Sequence, residues 1–256
     1  MQRLLKTGHP DVWHDLRKPQ AGNPRYSGGN RDFRKCAKGY CALQLSRDLS
    51  VDDKTAFVLL HKVRESREIA RNEGAVSGNV EVDGACFSGY VKPANEKKDR
   101  KGHRKKFHQS GKRQSFIVMR ERGGRTLTYV TRTEAEGVAL VAANVQHGST
   151  VHADEAGHWD NLAAYFPIKR INHQEAYSRD GACTNQAESF FSRLRRAEIG
   201  THHHVAGKYL GAYPAEMAWR EDNNRAANGL QFAMVMGAVS AAEKSSKWCG
   251  YWQRRV

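Results

Sequence analysis

No stretch of this 256-residue chain is long and apolar enough to span a bilayer. Its first residues, MQRLLKTGHPDVWHDLRKPQ, lack the apolar run of a secretory signal. Cysteine is scarce and odd in number. Cys36, Cys41, Cys86, Cys183 and Cys249 are scattered, which argues against a disulfide framework and for a reducing compartment. Cys36 and Cys41 have no second pair nearby to complete a four-ligand zinc site. The expectation is a soluble cytoplasmic protein with no membrane partner. Acids are short as well, with 27 Asp+Glu against 42 Lys+Arg and a formal charge of +15. Such an excess draws polyanions, nucleic acid first among them, although it also serves plain solubility. The length suffices for one sizeable core plus a small appended module.

Four segments follow from pattern. Residues 1–37 are basic and rich in Gly, Pro, Asn and Arg without a sustained period, so they read as loop, disorder or a shortened N-terminal module. Residues 38–75 hold two helical runs broken at LSVDD, with Ala56, Leu59, Leu60 and Val63 inward and Ser50 or Asp52 as cap of the second run. That second run carries Lys54, Lys62 and Arg64, in the manner of a DNA-binding helix-turn-helix; a plain helical hairpin is the alternative.

Residues 76–225 change period. GNVEVDGACFSGY alternates, with Val80, Val82 and Cys86 on one side and Glu81, Asp83 and Phe87 on the other. RQSFIVMRERGGRTLTYVT predicts a hairpin. TEAEGVALVAANVQHG predicts a helix, opening on a Thr133–Glu136 capping box and closing on Gly148. STVHADE reads as a short strand, HWDNLAAYF as a helical turn or two, KRINHQEAY as another strand, and 184–197 as an amphipathic helix. This order suits an α/β domain, a mixed sheet flanked by helices and preceded by the small helical module. Residues 226–256 hold a C-terminal helix that buries itself.

One insertion, 92–113, carries ten Lys/Arg against two acids, a net +8. Lys97, Lys98, Arg104, Lys105 and Lys106 lie within it. So dense a charge run is relieved by a phosphate backbone, or else stays solvated.

Against this basic background, three acids stand out: Asp83 in the first strand, Asp154 at the end of the strand after the first long helix, and Glu188 on the 184–197 helix. Singly, each reads equally well as a strand-end, turn or solvated helix acid. Together, acids at the ends of two strands can converge where ligand sites form, and a helix packed beside that edge can add a third oxygen donor. Three carboxylates suit hard divalent cations.

EVDGACFSGY, GSTVHADE and TNQAESFFSRLRR, in this order and spacing, resemble the DDE transposases of bacterial insertion sequences, in particular the ISXO-like group. LQLSRDLSVDDKTAFVLLHKVRE upstream and YLGAYPAEMAWR downstream extend the resemblance over roughly 38–225. It implies a ribonuclease-H-like catalytic domain in which Asp83, Asp154 and Glu188 are catalytic and carry metal, two Mg2+ or Mn2+ ions. It also implies cleavage and strand transfer at terminal inverted repeats, double-stranded DNA as partner, a homodimer or larger assembly on DNA, and a nucleoid setting. Arg195, seven positions after Glu188, matches the group's basic residue and would hold a phosphate; a surface charge is the alternative. An inactive DNA-binding remnant and a nuclease without transposition are the rival functions.

Overall fold

The computed structural model describes residues 39–71, 74–88, 94–100, 113–179, 181–202, 205, 209–245 and 247–249. Residues 1–37 and the centre of the basic insertion, with Arg104, Lys105 and Lys106, lie outside the described residues. The chain divides into two units, residues 74–214 and residues 1–73 together with 215–256.

Unit 74–214 is built on β1 (Asn79–Ser88), β2 (Arg113–Glu121), β3 (Thr126–Thr131), β4 (Thr150–Ala153) and β5 (Ile168–Arg170). The strands lie in the order β3-β2-β1-β4-β5. β1, β2 and β3 run antiparallel, joined at the expected hairpin by a turn in which Gly123 takes φ +79°. β4 and β5 pair in parallel with β1 and with each other. A three-stranded antiparallel half followed by two shorter parallel strands, with helices on both faces, is a ribonuclease-H-like arrangement.

Both faces of β1 are covered, because side chains alternate across the strand and each face meets a different layer. On one face Val80 and Val82 pack with Ile117, Met119 and Val151 beneath Val141, Trp159 and Leu162. This layer comes from α1 of this unit (Gly137–Asn144) and a 3-10 segment (Gly157–Ala164). On the other face Phe87, Phe116 and Phe191 meet at ring-centroid distances of 6.0–6.2 Å. Phe191 belongs to α2 (Asn185–Ala197), whose stripe of Ala187, Phe190, Phe191, Leu194 and Ala197 is wholly buried. Glu81 and Phe87 are therefore buried under a helix instead of facing water.

Three local expectations change. Thr133 makes no capping hydrogen bond; 134–136 form a 3-10 turn, and Glu136 accepts the N–H of Arg132, one residue before the cap, at 3.1 Å, so the capping box does not form. The helix stops at Asn144 because Val145 leaves it to bridge Val76. KRINHQEAY is a strand only through Arg170; Asn172 then accepts the N–H groups of Glu175 and Ala176 in a turn.

In the other unit, α3 (Ala42–Leu49) and α4 (Asp53–Arg71) form the expected pair. Ser50 takes φ 54° to end the first, and Asp52 caps the second through the Thr55 N–H at 3.1 Å. Leu45, Ala56 and Leu60 with Tyr40 form their core. Within this unit Glu216, on the helix Ala212–Asp222 (α5), lies among three arginines. It is 2.7 Å from Arg64, 2.7 Å from Arg220 and 3.8 Å from Arg67. These cations hold its carboxyl well below the ordinary carboxylate range despite its burial. Trp219 packs with Val235 and Val239 of α6 (Asn228–Ala241). Among the described residues, no helix is long and apolar enough to cross a membrane.

Candidate active site

The parallel pairing of β1 with β4 ends with Val82 opposite Ala153, so Asp83, midway along β1, and Asp154, just past the end of β4, are the next residues after that pair. Side chains at matching positions of adjacent strands point to the same face. For Asp83 that is the face covered by α2, on whose first turn Glu188 sits. Burial, followed by the charges of Asp154, Glu188 and Glu134, pushes the Asp83 carboxyl up to about 7; a 2.7 Å hydrogen bond from the Gly84 N–H opposes the rise. The Asp154 carboxylate accepts the Ala156 N–H at 3.2 Å, which fixes the turn leaving β4.

Glu188 is engaged from the side. His173, in the turn after β5, lies with Nε2 3.0 Å from Glu188 Oε1 and 2.7 Å from Thr184 Oγ1. The acids thus meet where the pairing of β1 with β4 stops, close enough for Asp83 to feel both others. As the side chains stand, however, no three His, Cys, Asp or Glu among the described residues group tightly enough to hold an ion. The donor chemistry nonetheless fits a hard divalent cation: all three expected ligands offer carboxylate oxygen, and a buried carboxyl crowded by neighbouring acids, as Asp83 is, is what a cation would relieve.

The frame behind this cluster was not foreseen as such. Glu81, two residues before Asp83 on the same face, is fully buried and pairs with Arg122 at 2.9 Å. It also accepts the N–H groups of Gln186 at 2.8 Å and Ala187 at 3.3 Å, capping α2 in place of a Thr184 side chain. Arg122 reaches onward to the carbonyls of Gly181 and Cys183, both at 3.2 Å, and to Cys183 Sγ at 2.7 Å. It also lies 3.3 Å from His152 Nδ1. Burial and that guanidinium lower His152 to about 4, so the ring is neutral near pH 7. An acid inside the apolar run VEVD was the available signal for Glu81; His173 offered none beyond its proximity to TNQAES in the sequence.

The expected DNA-contacting cations divide. Arg195 is exposed, its guanidinium 5.5 Å from the Phe87 ring centroid, two helical turns beyond Glu188. Lys97 and Lys98 are exposed on a short 3-10 turn, with Lys98 paired to Glu96. Lys54 is exposed and Lys62 half-buried on α4. Arg64 requires correction: it is only 2 % exposed and spent on Glu216 and the Tyr40 carbonyl, so its charge is withdrawn from any phosphate. The distant acid at 216 explains its burial.

The mixed sheet, with Asp83 midway along β1, Asp154 just past the end of β4 and Glu188 on the covering helix, defines a ribonuclease-H-like domain. The ISXO2-like transposase domain matches residues 75–222, well over half of the chain, and the chain belongs to that family. Two solved structures are similar at low identity. The Mos1 strand transfer complex is 9% identical, covering 94% of this chain and 86% of that one with a TM-score of 0.26. The Mos1 transposase paired-end complex with left transposon end is 11% identical over the same shares, with a TM-score of 0.24. No curated protein matches the chain.

Proposed function

We propose that this transposase cleaves DNA at the terminal inverted repeats of an insertion sequence and joins the freed ends to a target, with Asp83, Asp154 and Glu188 as metal-binding catalytic residues. The observation that carries the reading is the register of β1 against β4, which aligns Asp83 with Asp154 beneath the helix that bears Glu188. Bound Mg2+ or Mn2+, two ions in this reading, supplies charge neutralisation at the attacking and leaving oxygens of a phosphodiester.

The chain's own residues do the rest. Asp83, midway along β1, and Asp154, in the turn that leaves β4, present carboxylate oxygens from a rigid frame, which lowers the cost of ordering the site. His173 steadies one oxygen of Glu188 and leaves the other for a ligand. Arg195 holds a phosphate with a planar fork of donors. In the first reaction a water oxygen bonds to phosphorus and the DNA 3′-oxygen leaves, taking a proton. In the second, that 3′-hydroxyl attacks a target phosphodiester and displaces the target's own 3′-oxygen. Both are in-line displacements needing no covalent enzyme intermediate.

Lys54 and Lys62 on α4, Lys97 and Lys98 with Arg104, Lys105 and Lys106 in the basic insertion, and Arg195 form the DNA-contacting set. The net charge of +15 supports a polyanionic partner. Handling two element ends calls for at least a homodimer on DNA.

Strand transfer with pre-cleaved terminal-repeat DNA and a supercoiled target tests the proposal. Metal-dependent joined products are expected. Binding without cutting would leave an inert DNA-binding remnant, and cutting without joining would leave a nuclease.

A further inference from the structure

We infer that Glu81, held by Arg122, is a positioning residue that sets the distance between the acids of the strand and the acid of the helix. The inference rests on the metal-binding reading above. Glu81 and Asp83 lie two positions apart on one face of β1, about 7 Å along the strand. From there the Glu81 carboxylate receives the N–H groups of Gln186 and Ala187, the residues immediately before Glu188. One buried side chain therefore ties the strand segment carrying Asp83 to the helix turn carrying Glu188.

Arg122 completes the tie. It neutralises Glu81 and, through the Gly181 and Cys183 carbonyls, grips the segment that leads into the helix. A carboxylate with no exposure, a cation and four backbone groups brought to one point are more than capping requires; a Ser, Thr, Asp or Asn at the N-cap satisfies a helix end alone. Here the cap comes from a strand residue more than a hundred positions earlier, so helix start and catalytic strand move as one body.

The test uses the full chain, comparing wild type, Asp83→Asn, Glu81→Gln and Arg122→Lys. Mn2+ binding is followed by calorimetry, and amide exchange by mass spectrometry. Glu81→Gln keeps the shape and one acceptor but loses the charge facing Arg122. The expected result is Mn2+ affinity at least about 10-fold weaker, with faster exchange at Gln186 and Ala187 and unchanged protection in β2. Wild-type affinity in folded Glu81→Gln, or exchange accelerated equally throughout the unit, would overturn the inference and leave Glu81 a general stabiliser. Should Glu81→Gln not fold, Arg122→Lys, which keeps a charge at Glu81 but loses the forked grip on the two carbonyls, is read in the same way. Wild type that binds no Mn2+, or Asp83→Asn that binds it normally, would refute the metal-binding reading instead. Exchange at 186 and 187 then decides the positioning role by itself.

Discussion

Replacing Asp83 with Asn should make the metal-free protein more stable at neutral pH while destroying its proposed chemistry. Asn keeps the acceptor that receives the Gly84 N–H and removes a charge that burial, Asp154, Glu188 and Glu134 all oppose. The folded carboxyl titrates at about 7 against an ordinary 3.8, a rise of about three units. At about 1.4 kcal/mol per unit, ionised Asp83 costs the metal-free fold on the order of 4 kcal/mol above pH 7. The folded state holds a proton that the unfolded state has lost between those two values, so stability falls as pH rises through that window. Urea denaturation in excess chelator measures it, with wild type and Asp83→Asn compared at pH 4, 6 and 8. The variant should gain on wild type across the series, and added Mn2+ should stabilise wild type alone, as expected for a ligand that binds only the folded state. A variant less stable than wild type at pH 8, with a gap that ignores pH, would refute the crowding of acids at this site.

Further tests bear on other parts of the molecule. Glu216→Gln leaves Arg64, Arg67 and Arg220 buried without their counter-charge and should cost about 3–5 kcal/mol; a thermal midpoint within a degree or two of wild type would contradict the network's role. Because the Glu216 carboxyl is depressed on folding, its contribution is present above its ordinary 4.5 and fades as pH falls below that value, which acid titration of folding should show. His173→Ala should slow cleavage about 10- to 100-fold through a loosened Glu188 with DNA affinity retained in mobility-shift assays; an equal loss of binding would place His173 on the DNA instead. Neutralising Lys105 and Lys106 should flatten the salt dependence of DNA binding by up to about two phosphate contacts, and an unaltered slope would remove the insertion from the interface.

What the sequence displayed well was local. The stripe on 185–197 appears plainly as Ala187, Phe190, Phe191 and Leu194, and the helix forms with that face inward. The turn Glu-Arg-Gly-Gly gave the β2–β3 hairpin because a glycine there is free to take positive φ. Tertiary partners were harder to see. Glu81 reads as the polar half of an alternating strand until a helix lands on it, and the capping groups it serves belong to residues a hundred positions away. Arg64 is one of the cations on the expected DNA-binding helix, yet its energy lies in Glu216, 152 residues on. β5 ends early because Asn172 turns the chain, a competition between a side-chain acceptor and the strand ladder that periodicity does not register. The order of the three acids was legible, but their nearness is a property of the β1–β4 register, which no single segment carries.

The central claim is that Asp83, Asp154 and Glu188 close around divalent cations, and anomalous scattering from a crystal soaked in Mn2+ measures this directly. The account predicts density within about 2.0–2.6 Å of oxygens from all three side chains, with Glu188 drawn toward Asp83 and Asp154. Manganese absent from between these acids, with Glu188 still resting on His173, would contradict it.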